Sequence, residues 1–260
     1  FKFMLINILR NFLFLIRVII IKDYYFKNTK SQNNNQENQF ISYLSKFVKN
    51  KNGIEIGFHF NQFNFIGLYK KNFKILLIDG GSKFNIFMMR IINIILRKKV
   101  GVIHKFVDKK NIKEIFTSKN IGILSLDIDG NDYWVLKEIL NKKIFPEIIV
   151  VEYNSTFLNK SITVPYNKNF ERFRMHKSGW YHGASIVAFD KLLKSKKYSL
   201  VKAIAGINAF FVNKEILKKA KLKKLISGKI KDENLIRKKF TKLSAKQQYK
   251  KIKHLKFVKV

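Results

Sequence analysis

The sequence predicts an α/β fold: a mostly parallel sheet with helices on both faces and a final antiparallel strand. Three observations lead there. Between about residues 40 and 213, short runs rich in Ile, Leu and Val alternate with stretches of helical period, the order of a parallel sheet with helical crossovers. These runs are apolar almost throughout rather than at every second position, as strands buried on both faces must be. The last two runs, 198–203 and 208–213, are joined through Ala205-Gly206-Ile207. That connection is too short for a crossover, so the final strand must run antiparallel to its neighbour.

The elements follow in order. A helix is expected over 40–49 and a strand over 53–57, then a helix near 62–71 and a strand over 74–79. Residues 84–97 are helical in period and apolar all round. Strand 100–107, a short helix at 110–118 and strand 121–127 come next. The run Ile123-Leu-Ser-Leu stops abruptly at Asp127, and Asp129, Gly130, Asn131 and Asp132 crowd into the turn behind it. Asn131 or Asp132 is placed to cap a helix over 132–141. Strand 147–153 follows. Residues 154–182, with Pro165, Trp180, His176 and His182, break the alternation, as a lid or acceptor-binding loop does. A helix over 184–196 leads into the closing pair of strands.

Outside this core, residues 1–27 form an apolar helix with a narrow polar stripe of Asn7, Arg10, Asn11 and Arg17. A bilayer span would bury both arginines at roughly 2.5–3.5 kcal/mol each, so the helix is expected to dock on the domain or lie in a membrane interface. The sequence opens on Phe1 rather than Met, as a fragment or an unusual start would. No small-residue cleavage site follows the apolar run, which argues against a signal peptide. Residues 28–39 are a low-complexity polar linker. Residues 214–260 carry 18 basic and 3 acidic side chains and are expected to be a helical, solvated extension rather than a second core.

Composition narrows the chemistry. There is no Cys, which excludes disulfides, thiolate metal sites and Cys nucleophiles. The formal net charge is +36, yet only 7 of the 53 basic residues are Arg. Arg is the usual reader of bases and phosphates, and Lys, Asn, Ile and Phe are abundant together, as in an AT-rich coding background. A solvated Lys coat is therefore expected rather than a nucleic-acid site. The charge leaves room for peripheral contact with the inner face of a membrane through the N-terminal helix and the Lys-rich tail, in a cytoplasmic protein.

Ligands of open α/β sheets sit outside the carboxyl ends of the strands. Asp127, Asp129 and Asp132 end the fourth strand, and Glu152-Tyr153-Asn154 ends the fifth. Carboxylates gathered there need water, a cation or a polar ligand, because burying them unpaired is costly. Asp79-Gly80 ends the second strand, 22 residues beyond Gly57; a carboxylate at about that distance suits the ribose hydroxyls of an adenosine.

Five alternating units and a closing antiparallel strand resemble the Rossmann-like class I S-adenosylmethionine-dependent methyltransferases. The segments 125–134 (SLDIDGNDYW), 149–154 (IVVEYN), 181–185 (YHGAS) and 206–211 (GINAFF), with Glu55-Ile-Gly57 and Asn64, resemble a bacterial group related to FkbM-like methyltransferases over roughly residues 40–213. The resemblance implies S-adenosylmethionine as cofactor and O-methylation of a glycan or small-metabolite hydroxyl. It implies cofactor contacts from Glu55, Gly57, His59, Asp79, Gly80 and Asp108. The second and third glycines of the usual first motif are absent here, and Phe58-His59-Phe60 stands in their place. Asp127, Asp129 and His182 are the catalytic candidates, with Asp129 or His182 as base. Glu152, Tyr153 and Asn154 are expected to orient the acceptor. Asp127, Asp129 and Glu152 could alternatively hold a divalent cation. His104 and His254 are expected to be structural or surface residues. Rival readings are a nucleotide-sugar or dinucleotide enzyme, and a degenerate fold that binds a partner.

Overall fold

The computed structural model describes residues 2–21, 23–71, 73–231 and 233–260; the side chain of Asn7, one member of the expected polar stripe, lies outside the described residues. The described strands are β1 (Asn52–Ile56), β2 (Lys74–Asp79), β3 (Gly101–His104), β4 (Ile123–Leu126), β5 (Ile148–Glu152), β6 (Ile162–Thr163), β7 (Ser199–Ile204), β8 (Asn208–Val212) and β9 (Val258–Lys259). Seven of them form one sheet in the order β3-β2-β1-β4-β5-β8-β7. The pairs β1/β2, β1/β4, β2/β3 and β4/β5 are parallel, and β8 runs against both β5 and β7. This is the Rossmann-like sheet with a final antiparallel strand that the apolar runs and the three-residue connection predict.

Burial on both faces explains the continuous runs of β4, β5 and β8, whose residues are all buried, whereas β3 at the sheet edge is largely exposed. Along β5, Ile148 and Val150 join one apolar layer while Ile149 and Val151 join the other, because successive strand side chains point to opposite faces. The first layer is covered by helices Gln32–Leu44 and Lys83–Ile95, and the second by helices Asp132–Asn141 and Ile186–Lys194. Each fully buried Ile, Val or Phe adds roughly 1.5–3 kcal/mol relative to exposure. The N-caps are local: Ser82 Oγ accepts from the Asn85 amide at 3.2 Å, and Ser185 Oγ from the Ala188 amide at 3.0 Å.

Two expectations are corrected. The stretch 28–39, expected as a polar linker, is helical from Gln32 onward, within helix Gln32–Leu44. Its Glu37 is buried and accepts from Ser31 Oγ at 3.2 Å and Asn208 Nδ2 at 3.3 Å. Polar side chains that bond one another and dock on the sheet make a helix there, although propensity alone would not. The Lys-rich extension is more than a solvated tail. Its Tyr249, Ile252, Leu255 and Phe257 pack with Phe157, Ile162, Val164, Trp180 and Tyr181 in a third apolar cluster, and β9 pairs antiparallel with β6. Its lysines face water while a few apolar side chains turn inward, a pattern that the segment's average charge conceals.

Candidate functional site at the sheet switch point

The chain winds from β1 through β2 to β3 on one side, then returns to lay β4 and β5 on the other side of β1. Such a reversal opens a crevice at the carboxyl ends of the two central strands. A cavity of about 440 Å³ lies there, reaching Gly57 after β1, Asp79 and Gly80 at the end of β2, Phe106 beyond β3, and Asp127 and Asp129 after β4.

Gly57 is what lets the two central strand ends close up. Its φ is +80°, and a Cβ there would lie 1.5 Å from the Asp127 carbonyl oxygen. Of the residues that replace the usual glycines, Phe58 and His59 line the cavity, while Phe60 does not. Phe58, Phe60, Phe63 and Phe65 are buried in the first apolar layer. Asn85 holds this loop, donating from Nδ2 to the Phe58 carbonyl and accepting from the Phe60 amide, both at 2.7 Å. Asn85 Nδ2 also donates to Asp79 Oδ2 at 3.2 Å. Asp79 also accepts from the amides of Gly81 and Ser82, so its rotamer is fixed at the cavity wall. His59 lines the cavity too, with Nδ1 2.6 Å from Asn61 Oδ1.

Two residues expected at the cofactor have other work. Glu55 is buried and accepts from the amides of Asn64 at 2.6 Å and Phe65 at 2.9 Å, pinning the loop rather than lining the cavity. Asp108 accepts from the Lys110 amide at 2.7 Å in its own turn and does not line the cavity. Burial pushes the Glu55 carboxyl up from 4.5 to about 8, against the pull of its two amide donors. The folded protein therefore holds a proton that the unfolded chain releases between those values, and this contribution to stability is lost as pH rises through about 8. Glu55→Gln should flatten that decline in urea titrations compared across the window, while costing ~1–3 kcal/mol below it because one amide loses its acceptor. An unchanged slope would mean that Glu55 titrates as an ordinary carboxylate.

The acidic turn sorts its carboxylates by role. Asp132 is fully buried and accepts from the Ile128 amide at 2.8 Å and the Gly130 amide at 2.9 Å, so it builds the turn. Asn131 occupies the N-cap position without a capping bond, and its Nδ2 donates to the Asn167 carbonyl. Asp129, at φ +57°, is exposed at the cavity. Asp127 lines the cavity as well, and burial followed by the charges of Asp129 and Asp132 pushes it up to about 8, opposed by a hydrogen bond with Glu152 and by the Arg172 guanidinium. Burial and then Asp127 hold Glu152 well above the usual carboxylate range.

The segment 154–182 supplies a cation that sequence reasoning missed. Arg172 Nη1 lies 2.5 Å from Asp129 Oδ1 and 3.9 Å from Glu152 Oε1, and its Nε donates to the Gly179 carbonyl at 2.7 Å. Phe170, from the same segment, lies over Gly130, where a Cβ would come within 2.1 Å of its ring. An Arg inside the irregular insertion was the available signal, but nothing local says that it folds back onto Asp129, 43 residues earlier. His182 is buried behind Glu152, with Nδ1 3.7 Å from Oε2. It does not line the cavity. Asn154 sets that geometry by donating to the carbonyls of Trp180 at 2.7 Å and His182 at 2.9 Å. Tyr153 packs in the second apolar layer rather than toward the cavity. Asp129, Glu152 and His182 bring one ligand atom each within 4.8 Å of one another, a different set from the expected Asp127, Asp129 and Glu152. Arg172 already places a positive charge among them, so the cluster does not fit a divalent cation.

No protein-family model matches this sequence, and no curated protein matches it in sequence. The likeness to FkbM-like enzymes therefore rests on the segments themselves. Among solved structures, the chain is similar to a putative O-methyltransferase from Klebsiella pneumoniae at 13% identity and a TM-score of 0.45, over 77% of this chain and 94% of that one. It is similar to an O-methyltransferase from Bacillus cereus in complex with SAH at 14% identity and a TM-score of 0.47, over 76% of this chain and 93% of that one. An SAH-bound methyltransferase from Podospora anserina gives 13% identity and a TM-score of 0.45, over 68% of this chain and 78% of that one.

Proposed function

We propose that this protein is an S-adenosylmethionine-dependent methyltransferase acting on a hydroxyl of a glycan or other small metabolite. One observation carries the reading: the cavity at the switch point joins an adenosine-compatible wall to a carboxylate wall. Gly57 gives close backbone approach, Asp79 stands ready to accept from ribose hydroxyls, and Asp127 and Asp129 face the same space. When bound, the cofactor supplies an electrophilic methyl group on a sulfonium.

The chain's own residues then have to orient an acceptor hydroxyl and take its proton. Asp127 is the base that fits best, because it faces the cavity and its affinity for a proton, near pH 8, is matched to that task. Asp129 is held by Arg172 and serves to fix the turn's charge. His182 supports Glu152 from behind, and Glu152 in turn hydrogen-bonds with Asp127.

Calorimetry tests the cofactor half. S-adenosylmethionine and S-adenosylhomocysteine should both bind the wild-type chain, and Asp79→Ala should weaken them about tenfold or more, the value of lost hydrogen bonds to a charged acceptor. No heat at millimolar ligand would sink the proposal, and saturable binding of a dinucleotide or nucleotide sugar in its place would favour the rival enzyme class.

A further inference from the structure

Helix Lys2–Ile20 docks on the domain by Asn11, Phe14, Leu15 and Val18, one face by their spacing, with Phe14 against Tyr25 and Phe60. In a water-soluble helix the opposite side is polar. Here that side carries Ile6, Leu9, Leu13 and Ile20, the last 74% exposed. Arg10 and Arg17, both exposed, run along one edge, and exposed Phe12 and Ile19 along the other.

The neighbouring helix, Lys83–Ile95, repeats the pattern. Asn85, Ile86, Met88, Met89, Ile92 and Asn93 are buried, while Phe84, Phe87 and Ile94 point outward, Phe87 at 57% and Ile94 at 76% exposure. Arg90, within it, and Arg97, just beyond it, are exposed. Neither helix contains an acidic residue. Four of the seven arginines of the whole chain thus stand on or beside these two helices.

We infer that this two-helix face is a docking surface for an anionic lipid bilayer. The occupant is chosen by charge. A second copy would set Arg10, Arg17, Arg90 and Arg97 against their equals, on chains each carrying +36, with no carboxylate on either helix to receive them. An anionic membrane answers both features at once: acyl chains cover the exposed Ile, Leu and Phe, and headgroup charge meets the arginines. Exposed apolar patches rimmed by polar residues mark interaction sites. Helix Lys83–Ile95 begins two residues after Gly81, which lines the cavity, so a bilayer docked here lies beside the cavity mouth.

Vesicle sedimentation with the full chain decides the matter. The wild-type protein should pellet strongly with phosphatidylcholine vesicles containing phosphatidylglycerol and only weakly with phosphatidylcholine alone. The double variant Leu13→Glu, Ile20→Glu changes only exposed positions and should keep the wild-type melting curve while losing about tenfold or more of the vesicle affinity. Phe240→Glu, at an exposed residue on another helix, should leave it unchanged. Residual binding should persist at high salt, because the apolar part is not screened. The inference is overturned if wild type ignores anionic vesicles, if the double variant binds as well as wild type, or if salt removes binding completely, which would leave only the Lys coat. It is also overturned if light scattering shows a dimer that the double variant dissolves.

Discussion

Replacing Gly57 with alanine should cost about 3 kcal/mol of stability and abolish binding of the proposed cofactor. Two penalties add. A non-glycine residue held in the left-handed region costs roughly 1–2 kcal/mol, and forcing extra volume into a packed contact costs roughly 1–3 kcal/mol. Both apply here, since φ is +80° and the new Cβ would meet the Asp127 carbonyl oxygen, a backbone atom that cannot swing aside. The Gly57 amide donates to Ile78 O at 2.8 Å and the Asp127 amide to Ile56 O at 2.9 Å. Relief would therefore pull apart the ends of β1, β2 and β4 together, and these form the cavity floor. Gly81→Ala is the comparison: its Cβ would meet nothing closer than Asp79 Oδ1 at 3.7 Å, an ordinary contact. That variant should stay within about 0.5 kcal/mol of wild type. Urea midpoints for the two variants check the difference, and equal midpoints would show that the strand ends do not need the close approach.

Arg172→Met should lower the proposed methyl transfer about a hundredfold or more, the size of effect seen when a preorganised charge leaves a site. The readout that separates this from a mere packing defect is the pH profile. Arg172 is the positive charge beside Asp129 and Glu152, and it holds Asp127 and Glu152 below where burial alone would put them. Without it those carboxyls bind protons more tightly, so the ionised base appears only at higher pH. The wild-type rate should rise with pH through about 8, following Asp127, and the rising limb of Arg172→Met should lie at higher pH still. Arg172→Lys should bring the limb most of the way back, since charge returns, while leaving the rate below wild type, since the bond from Nε to the Gly179 carbonyl does not. A variant with a lower rate but an unmoved limb would confine Arg172 to holding the segment 154–182 in place.

The sequence by itself determined the sheet and where its acidic ends fall. Strands buried on both faces leave short apolar runs, and a three-residue connection permits only an antiparallel return, so the order of elements and the sense of β8 were legible in one dimension. So was the placing of Gly57, Asp79, Asp127 and Asp129 at strand ends, because turn residues punctuate each run. Only the tertiary structure decided which of these side chains share a space. Side-chain direction at a strand end depends on the turn that follows. Thus Glu55 turned inward to hold the amides of residues 64 and 65 and Tyr153 entered the core, while Asp127 stayed at the cavity. Contacts across long sequence separations leave no local trace. Arg172 reaching Asp129, Asn85 steadying a loop without the usual glycines, and the end of the Lys-rich extension packing on segment 154–182 all rest on packing energies that no single segment carries. The crevice at the switch point was written in the order of the strands; its chemistry was settled by what folded back over it.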